Sequence, residues 1–319
     1  MRQLGRSSIA ISPIGLGCWQ FSEGSGLVGG YWPALPKETT QEIVATVLAA
    51  GINWFDSAEA YGGGRSEAAL SRALVAAGKG NGEVVIATKW QPFPRTASSI
   101  TRTIAERRRR LAPFDIDLYQ VHGPYALASV TGLMNAMAAL VERGEIRAVG
   151  VSNFSARQMR AAHGTLAARA IPLVSNQVRY NLVNRRIERN GVLAAAKELG
   201  VTIIAYSPLG QGVLSGKFHR DPRLIQSRPG PRKRLPSFRR RGLERTRSLV
   251  VALEEIGKAH GASASQVALS WVVNAQGEIV VAIPGATTVE QARDNAAAMS
   301  LRLGSTDMRR LDELSLQLR

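Results

Sequence analysis

Residues 140–154 read LVERGEIRAVGVSNF. A helical pattern ends, Gly144 stops it, and an apolar run (IRAVGVSN, 146–153) finishes on two polar residues, Ser152 and Asn153. A short run that is β-branched and apolar at nearly every position suits a strand covered on both faces, as in a parallel sheet flanked by helices. The same pattern recurs along the chain. Candidate strands are IGLGCW (14–19), INWFDS (52–57), VVIATKW (84–90) and DLYQVH (117–122), then PLVSNQVRY (172–180), VTIIAYS (201–207) and IVVAIPG (279–285). Helical patterns separate them. KETTQEIVATVLAAG (37–51) is apolar at 43, 44, 47 and 48 and stops at Gly51; SEAALSRALVAAG (66–78) stops at Gly78.

Eight strands alternating with helices predict a parallel sheet, and eight is the number that closes a (β/α)8 TIM barrel. An open, doubly wound sheet is disfavoured, because no G-x-G-x-x-G fingerprint follows an early strand; GLGCWQ (15–20) lacks the third glycine. LGRSSIAIS (4–12) predicts a short hairpin ahead of the first barrel strand. The 319 residues are then expected to form one barrel domain over residues 1–319.

Composition narrows the function classes. A 45% hydrophobic fraction supports a large core. A single cysteine, Cys18, leaves no disulfide within the chain and no cysteine-based zinc site, and no metal site is expected. The N-terminus has no apolar signal core and no apolar run nears the ~18 residues of a membrane span, so a cytoplasmic protein is expected. The net charge of +17 favours polyanionic partners in general. The excess is concentrated between Lys217 and Arg247, where twelve Lys/Arg face two acids. This segment reads as a long, solvated basic loop after the seventh strand. It has neither an interleaved aromatic platform nor a recognised module, which argues against nucleic acid as the partner.

A barrel keeps its active site at the C-terminal ends of its strands. Asp56, Lys89 and His122 stand at three consecutive strand ends, followed by Ser152 and Asn153, Gln177, and Tyr206 and Ser207. Lys89 is expected to pair with Asp56 and to lower the pKa of Tyr61, five residues beyond the aspartate. A phenol so tuned can act as general acid toward a developing alkoxide, with His122 orienting the carbonyl. That is equipment for reducing C=O with a hydride supplied from elsewhere.

These residues sit in blocks that resemble the aldo-keto reductase family over nearly the whole chain. FDSAEAYG (55–62), ATKW (87–90), LYQVHGP (118–124), VGVSNF (149–154), NQVRYN (176–181), AYSPLGQGVLSGK (205–217) and IPGATTVEQARDN (283–295) follow the family's order. The resemblance implies carbonyl reduction or alcohol oxidation with NADP(H), and a catalytic tetrad of Asp56, Tyr61, Lys89 and His122. It implies Ser152, Asn153 and Gln177 on the nicotinamide carboxamide, with Tyr206 stacked on the ring. Ser207, Leu209, Gln211, Gly212 and Lys217 would follow the pyrophosphate. Gly285, Thr287, Gln291 and Asn295 would surround the 2'-phosphate and adenine, with Asp294 near the amino group or ribose.

Many relatives carry Lys or Arg where this chain has Thr287 and Thr288. NADP(H) is favoured, NAD(H) is the alternative, and Arg232 or Arg234 could supply the missing cation. Trp19, Trp32, Trp90 and Tyr125 are the expected substrate walls, suited to an aldehyde or ketone, sugar and aryl carbonyls included. Tyr31 and Gln20 belong to the same loops, and the glycine-rich FSEGSGLVGGYWPALP (21–36) could form a flap. The rival readings are a slow, cofactor-sensing regulatory subunit and an NAD-linked sugar or alcohol dehydrogenase.

Overall fold

The computed structural model describes residues 1–25, 31–227 and 233–318. Each predicted strand is present, shortened to its most apolar part. The barrel strands are β3 (Leu16–Gly17), β4 (Trp54–Asp56), β5 (Val85–Trp90), β6 (Leu118–Val121), β7 (Ala148–Ser152), β8 (Leu173–Arg179), β9 (Thr202–Tyr206) and β11 (Val280–Ile283). All are parallel and hydrogen-bonded in chain order from β3 to β11, with β10 (Ala275–Glu278) outside the run. Closure comes from bridges Ile14 to Ala282 and Gly17 to Gly285, with Gly15 N donating to Ala282 O at 2.8 Å. The result is a (β/α)8 barrel.

The predicted hairpin pairs β1 (Arg2–Gln3) with β2 (Ala10–Ile11). Its Leu4, Ile9 and Ile11 plug the N-terminal mouth of the barrel against Trp54, Ala87, Leu118, Val174, Ile204 and Val281. Side chains alternate faces along a strand. Two residues above this apolar floor, the same strands therefore aim Asp56, Lys89, Gln120 and Tyr206 inward. A bulge places Val174 in the floor and brings Ser175 beside Gly150.

The outer layer includes α1 (Lys37–Ala49), α2 (Arg65–Ala76), α3 (Ser98–Leu111), α4 (Val130–Glu142), α5 (Ala156–Ala167) and α6 (Val192–Leu199). Beyond β9 come α7 (Lys217–Arg220), α8 (Arg240–Ala259), α9 (Ala264–Asn274), α10 (Val289–Ala297) and α11 (Ser305–Leu316). Capping boxes start α5 at Ser155/Gln158 and α9 at Ser263/Gln266, where the Ser oxygen and the Gln side chain satisfy reciprocal backbone donors.

The basic segment differs from the expected solvated loop. Val213, Phe218, Ile225, Phe238 and Leu243 form a small apolar cluster of their own, with the Phe218 and Phe238 rings 5.0 Å apart edge to face. Apolar residues spaced among the arginines therefore anchor the segment, and guanidinium groups such as that of Arg223 stand in solvent.

Candidate active site

At the C-terminal end of the barrel, Lys89 Nζ donates to Asp56 Oδ1 at 2.5 Å and to Ser57 O at 2.7 Å. Both ionic side chains are buried, at 0% and 1% exposure. A buried pair of this kind holds only if its remaining hydrogen-bonding capacity is met. Asp56 Oδ2 meets it by accepting from Gln120 Nε2 at 3.1 Å and Gln177 Nε2 at 2.9 Å. Sequence reasoning did not single out Gln120. Its place on the inward face of a barrel strand, one strand on from Lys89, was the available signal.

Tyr61 follows β4 on a short loop whose Glu59 N bonds Lys89 O at 3.1 Å and whose Tyr61 N bonds Ala58 O at 3.0 Å. These bonds carry the phenol back over the ion pair. Lys89 Nζ lies 3.3 Å from Tyr61 Oη, and the His122 ring meets the tyrosine ring edge to face at 5.7 Å between centroids. The four polar groups expected together are together.

Their electrostatics correct one expectation. Burial pushes the Tyr61 phenol pKa up; Lys89 pulls it down, Asp56 pushes it up again, and the net shift is upward. The lysine does not lower the phenol below its ordinary value because burial of the phenol outweighs its pull and Asp56 opposes it. The consequence is a firmly protonated donor. Burial opposes the Lys89 ammonium, yet Asp56 and Tyr61 together hold its pKa above normal. His122 is pushed down to about 3, by burial first and Lys89 second, so its imidazole is neutral. Its Nδ1 is buried with no protein partner among the described residues.

Above these groups opens a cavity of about 860 Å³. Ser152, Asn153, Gln177 and Tyr206 line one part of it. Asn153 Oδ1 accepts from Tyr206 Oη at 3.1 Å, and Ser152 Oγ donates to Gln177 O at 2.9 Å. Ser207, Leu209, Gln211, Gly212 and Lys217 line the next part. There the backbone is left-handed at Ser207 (φ 48°), Gly210 (φ 55°), Gln211 (φ 59°) and Gly212 (φ 96°). Of five non-glycine residues with positive φ among the described residues, Asn153, Ser207 and Gln211 line this one cavity. Strain concentrated in one wall marks a functional surface, and left-handed turns of this kind offer backbone N–H groups to anions.

Gly285, Thr287, Gln291, Asp294 and Asn295 complete the far end. Asp294 accepts from Ser263 Oγ at 2.8 Å and Gln266 Nε2 at 2.8 Å, so part of its capacity is used at the start of α9. The donor set fits a dinucleotide: an amide-and-hydroxyl cluster beside an aromatic ring, a left-handed backbone turn with a lysine, and a hydroxyl-and-amide far end.

Two expectations about the cavity lining need correction. Trp19, Trp32 and Tyr125 line the cavity, whereas Trp90 does not. Lys89 points inward, so Trp90 points to the helices, fully buried, with Nε1 donating to Ser99 Oγ at 3.1 Å. Trp19 stacks on Tyr61 at 5.9 Å and on Tyr31 at 4.9 Å, and Tyr31 Oη donates to Gln211 Oε1 at 2.8 Å across the cavity. The second correction concerns the missing cation. Arg234 is exposed and away from the cavity wall, Arg232 lies outside the described residues, and Lys217 and Arg220 line the cavity instead. Part of the glycine-rich flap, residues 26–30, also lies outside the described residues.

A profile of the aldo/keto reductase family matches residues 13–316. The chain belongs to this family. As an aldo-keto reductase it is an NAD(P)H-dependent oxidoreductase. It is 38% identical over 299 residues to an uncharacterised oxidoreductase of Mycobacterium tuberculosis, covering 92% of this chain and 86% of that one. It is 33% identical over 317 residues to a chloroplastic pyridoxal reductase of Arabidopsis thaliana, covering 95% and 83%. Among solved structures, a thermostable aldo-keto reductase in complex with the inhibitor epalrestat superposes with a TM-score of 0.76 at 31% identity, covering 98% of both chains. A glycerol dehydrogenase from Gluconobacter oxydans gives 0.83 at 26%, covering 98% of this chain and 94% of that one. Among the described residues of this aldo-keto reductase, no helix is long and apolar enough to cross a membrane, and no cluster of His, Cys, Asp and Glu could hold a metal ion.

Proposed function

We propose that this aldo-keto reductase interconverts an aldehyde or ketone and its alcohol, using NADP(H) in preference to NAD(H), with Tyr61 as the proton donor. The observation that carries the reading is the Tyr61 phenol 3.3 Å from a buried ammonium, on the wall of a large cavity. A nicotinamide held in this cavity would supply the hydride for the carbonyl carbon. Tyr61 gives its proton to the carbonyl oxygen as negative charge develops there. The phenolate left behind is stabilised by Lys89, whose charge is held in place by Asp56. His122, neutral and lining the cavity, would direct a ring N–H at the same oxygen.

Ser152, Asn153 and Gln177 would hold the carboxamide, and Tyr206 the ring. The backbone at 207–212 and Lys217 would take the pyrophosphate. Lys217 and Arg220, which line the same cavity as Thr287, would supply positive charge that favours a 2'-phosphate, Arg220 while also paired with Glu254. The stacked Trp19 and Tyr31 suit a flat, partly apolar carbonyl compound, and the pyridoxal-reducing relative acts on a substrate of that shape. Thr287 and Thr288 in place of a cation are the observation that keeps NAD-linked alcohol oxidation as the second reading.

Titrating the protein with NADPH and NADH by tryptophan fluorescence at two salt concentrations tests the choice. Tighter NADPH binding that weakens with salt is expected; equal affinity for both overturns the NADP(H) preference, and no binding to either overturns the enzymatic reading. Turnover of a panel of aldehydes and ketones follows.

A further inference from the structure

We infer that Gln120 is a positioning residue that, together with Asp56, fixes the Gln177 amide with its oxygen facing the cofactor cavity. The inference rests on the reading above, in which Gln177 receives the nicotinamide carboxamide.

Gln120 is completely buried on β6, in register with Lys89 on one side and Gly150 on the other. Its side chain crosses the barrel interior because Gly150 leaves room: a Cβ there would lie 2.9 Å from Gln120 Cγ and 2.3 Å from Ser175 Oγ. The network that follows has one consistent polarity. An ionised carboxylate only accepts hydrogen bonds. With Asp56 Oδ1 occupied by Lys89, Oδ2 faces two primary amides, and both must present their NH2 ends to it. The second hydrogen of Gln177 Nε2 is directed at Gln120 Oε1, 3.3 Å away.

Both donors of Gln177 are thereby used within the polar layer above the barrel floor, and Oε1 is the end left for the cavity. Turning the amide over would set its oxygen against a carboxylate and against another amide oxygen. Gln177 therefore accepts a hydrogen bond from a carboxamide NH2 and cannot donate to the carboxamide oxygen. Gln120 is fully buried and does not line the cavity. It acts through Gln177, and it links the group that receives the nicotinamide to the carboxylate that anchors Lys89.

The test separates the two ends of the cofactor. NADPH carries the carboxamide; adenosine 2',5'-bisphosphate carries only the far end. For Gln120→Met, which keeps the volume and removes the hydrogen bonds, NADPH affinity is expected to fall roughly tenfold or more, the effect of one buried hydrogen bond left unmade. Affinity for adenosine 2',5'-bisphosphate should stay within about twofold of wild type, and so should the melting profile be cooperative. Gln120→Glu supplies a pH readout. Protonated, the new carboxyl can donate to Asp56; ionised, it repels it, so NADPH affinity in this variant should fall as pH rises while that of Gln120→Met does not. Unchanged NADPH binding in Gln120→Met overturns the inference, as does a parallel loss of both ligands without the pH dependence in Gln120→Glu. A wild-type protein that binds no NADPH overturns the functional reading instead.

Discussion

Replacing Lys89 with methionine removes the charge on which both the buried pair and the phenol depend. Two consequences can be sized separately. The Asp56 carboxylate, 1% exposed, keeps its two amide donors but loses its cation, and breaking such a pair costs about 3–5 kcal/mol of stability. The phenolate of Tyr61 loses an ammonium 3.3 Å away, an attraction of about 5 kcal/mol at an effective dielectric of about 20. At fixed pH that lowers the population of phenolate by roughly a thousandfold or more.

The oxidation direction reads this directly, because removing a proton from an alcohol needs the phenolate as base. In wild type, kcat for alcohol oxidation should rise with pH toward the Tyr61 pKa, which burial has raised. In Lys89→Met that rise should leave the accessible range, with the rate at pH 9 down by roughly a thousandfold. Adding Asp56→Asn to Lys89→Met removes the orphaned carboxylate. The double variant should recover most of the lost stability in a denaturant melt and none of the lost rate. Lys89→Met with an unchanged alkaline limb, or a double variant with restored turnover, would refute the account of Lys89 as the stabiliser of the phenolate.

Tyr61→Phe should lower carbonyl reduction by roughly 10²–10⁴ while NADPH affinity stays nearly constant, as measured by steady-state turnover beside fluorescence titration. Tyr31→Phe removes the bond to Gln211 that spans the cavity, and stopped-flow should show faster cofactor release with little change in the hydride-transfer step. Glu67, fully buried behind β5, accepts from Thr88 Oγ1 at 2.6 Å and has Arg107 Nη1 3.4 Å away. Burial, only partly offset by Arg107, raises its pKa from 4.5 to about 7. The unfolded chain then holds fewer protons than the folded one between those values, so the Glu67 contribution to stability is full below pH 4.5 and is lost as pH rises through 7. Glu67→Gln should abolish that decline, so that its stability in urea melts is flat across this pH window where wild type falls; an unchanged pH slope would count against the buried carboxyl.

The strand-and-helix alternation was legible because each barrel strand is covered on both faces and is therefore apolar almost throughout. A polar residue at the end of such a run, as at Asp56, Lys89 and His122, stands out against its own strand. Gln120 was not legible in the same way. One glutamine inside LYQV is as compatible with a solvated bend as with the barrel axis until the inward face is known. Trp90 failed for the complementary reason. Next to Lys89 in sequence, it looked like part of the site, and the two-residue period of the strand turned it away into the helix layer.

The amino-acid sequence by itself determined the eight βα units, the N-terminal hairpin and the identity of the groups at the strand ends, because those follow from local periodicity and from residue chemistry. Tertiary structure decided the rest. It set the direction of the Tyr61 pKa, since desolvation depends on everything that excludes water from a phenol. It decided which cations of a basic segment face the cavity, and it decided which amide oxygen does. Distances between β4, β5, β6 and β8 exist only once the barrel closes, and burial and electrostatics act across those distances rather than along the chain.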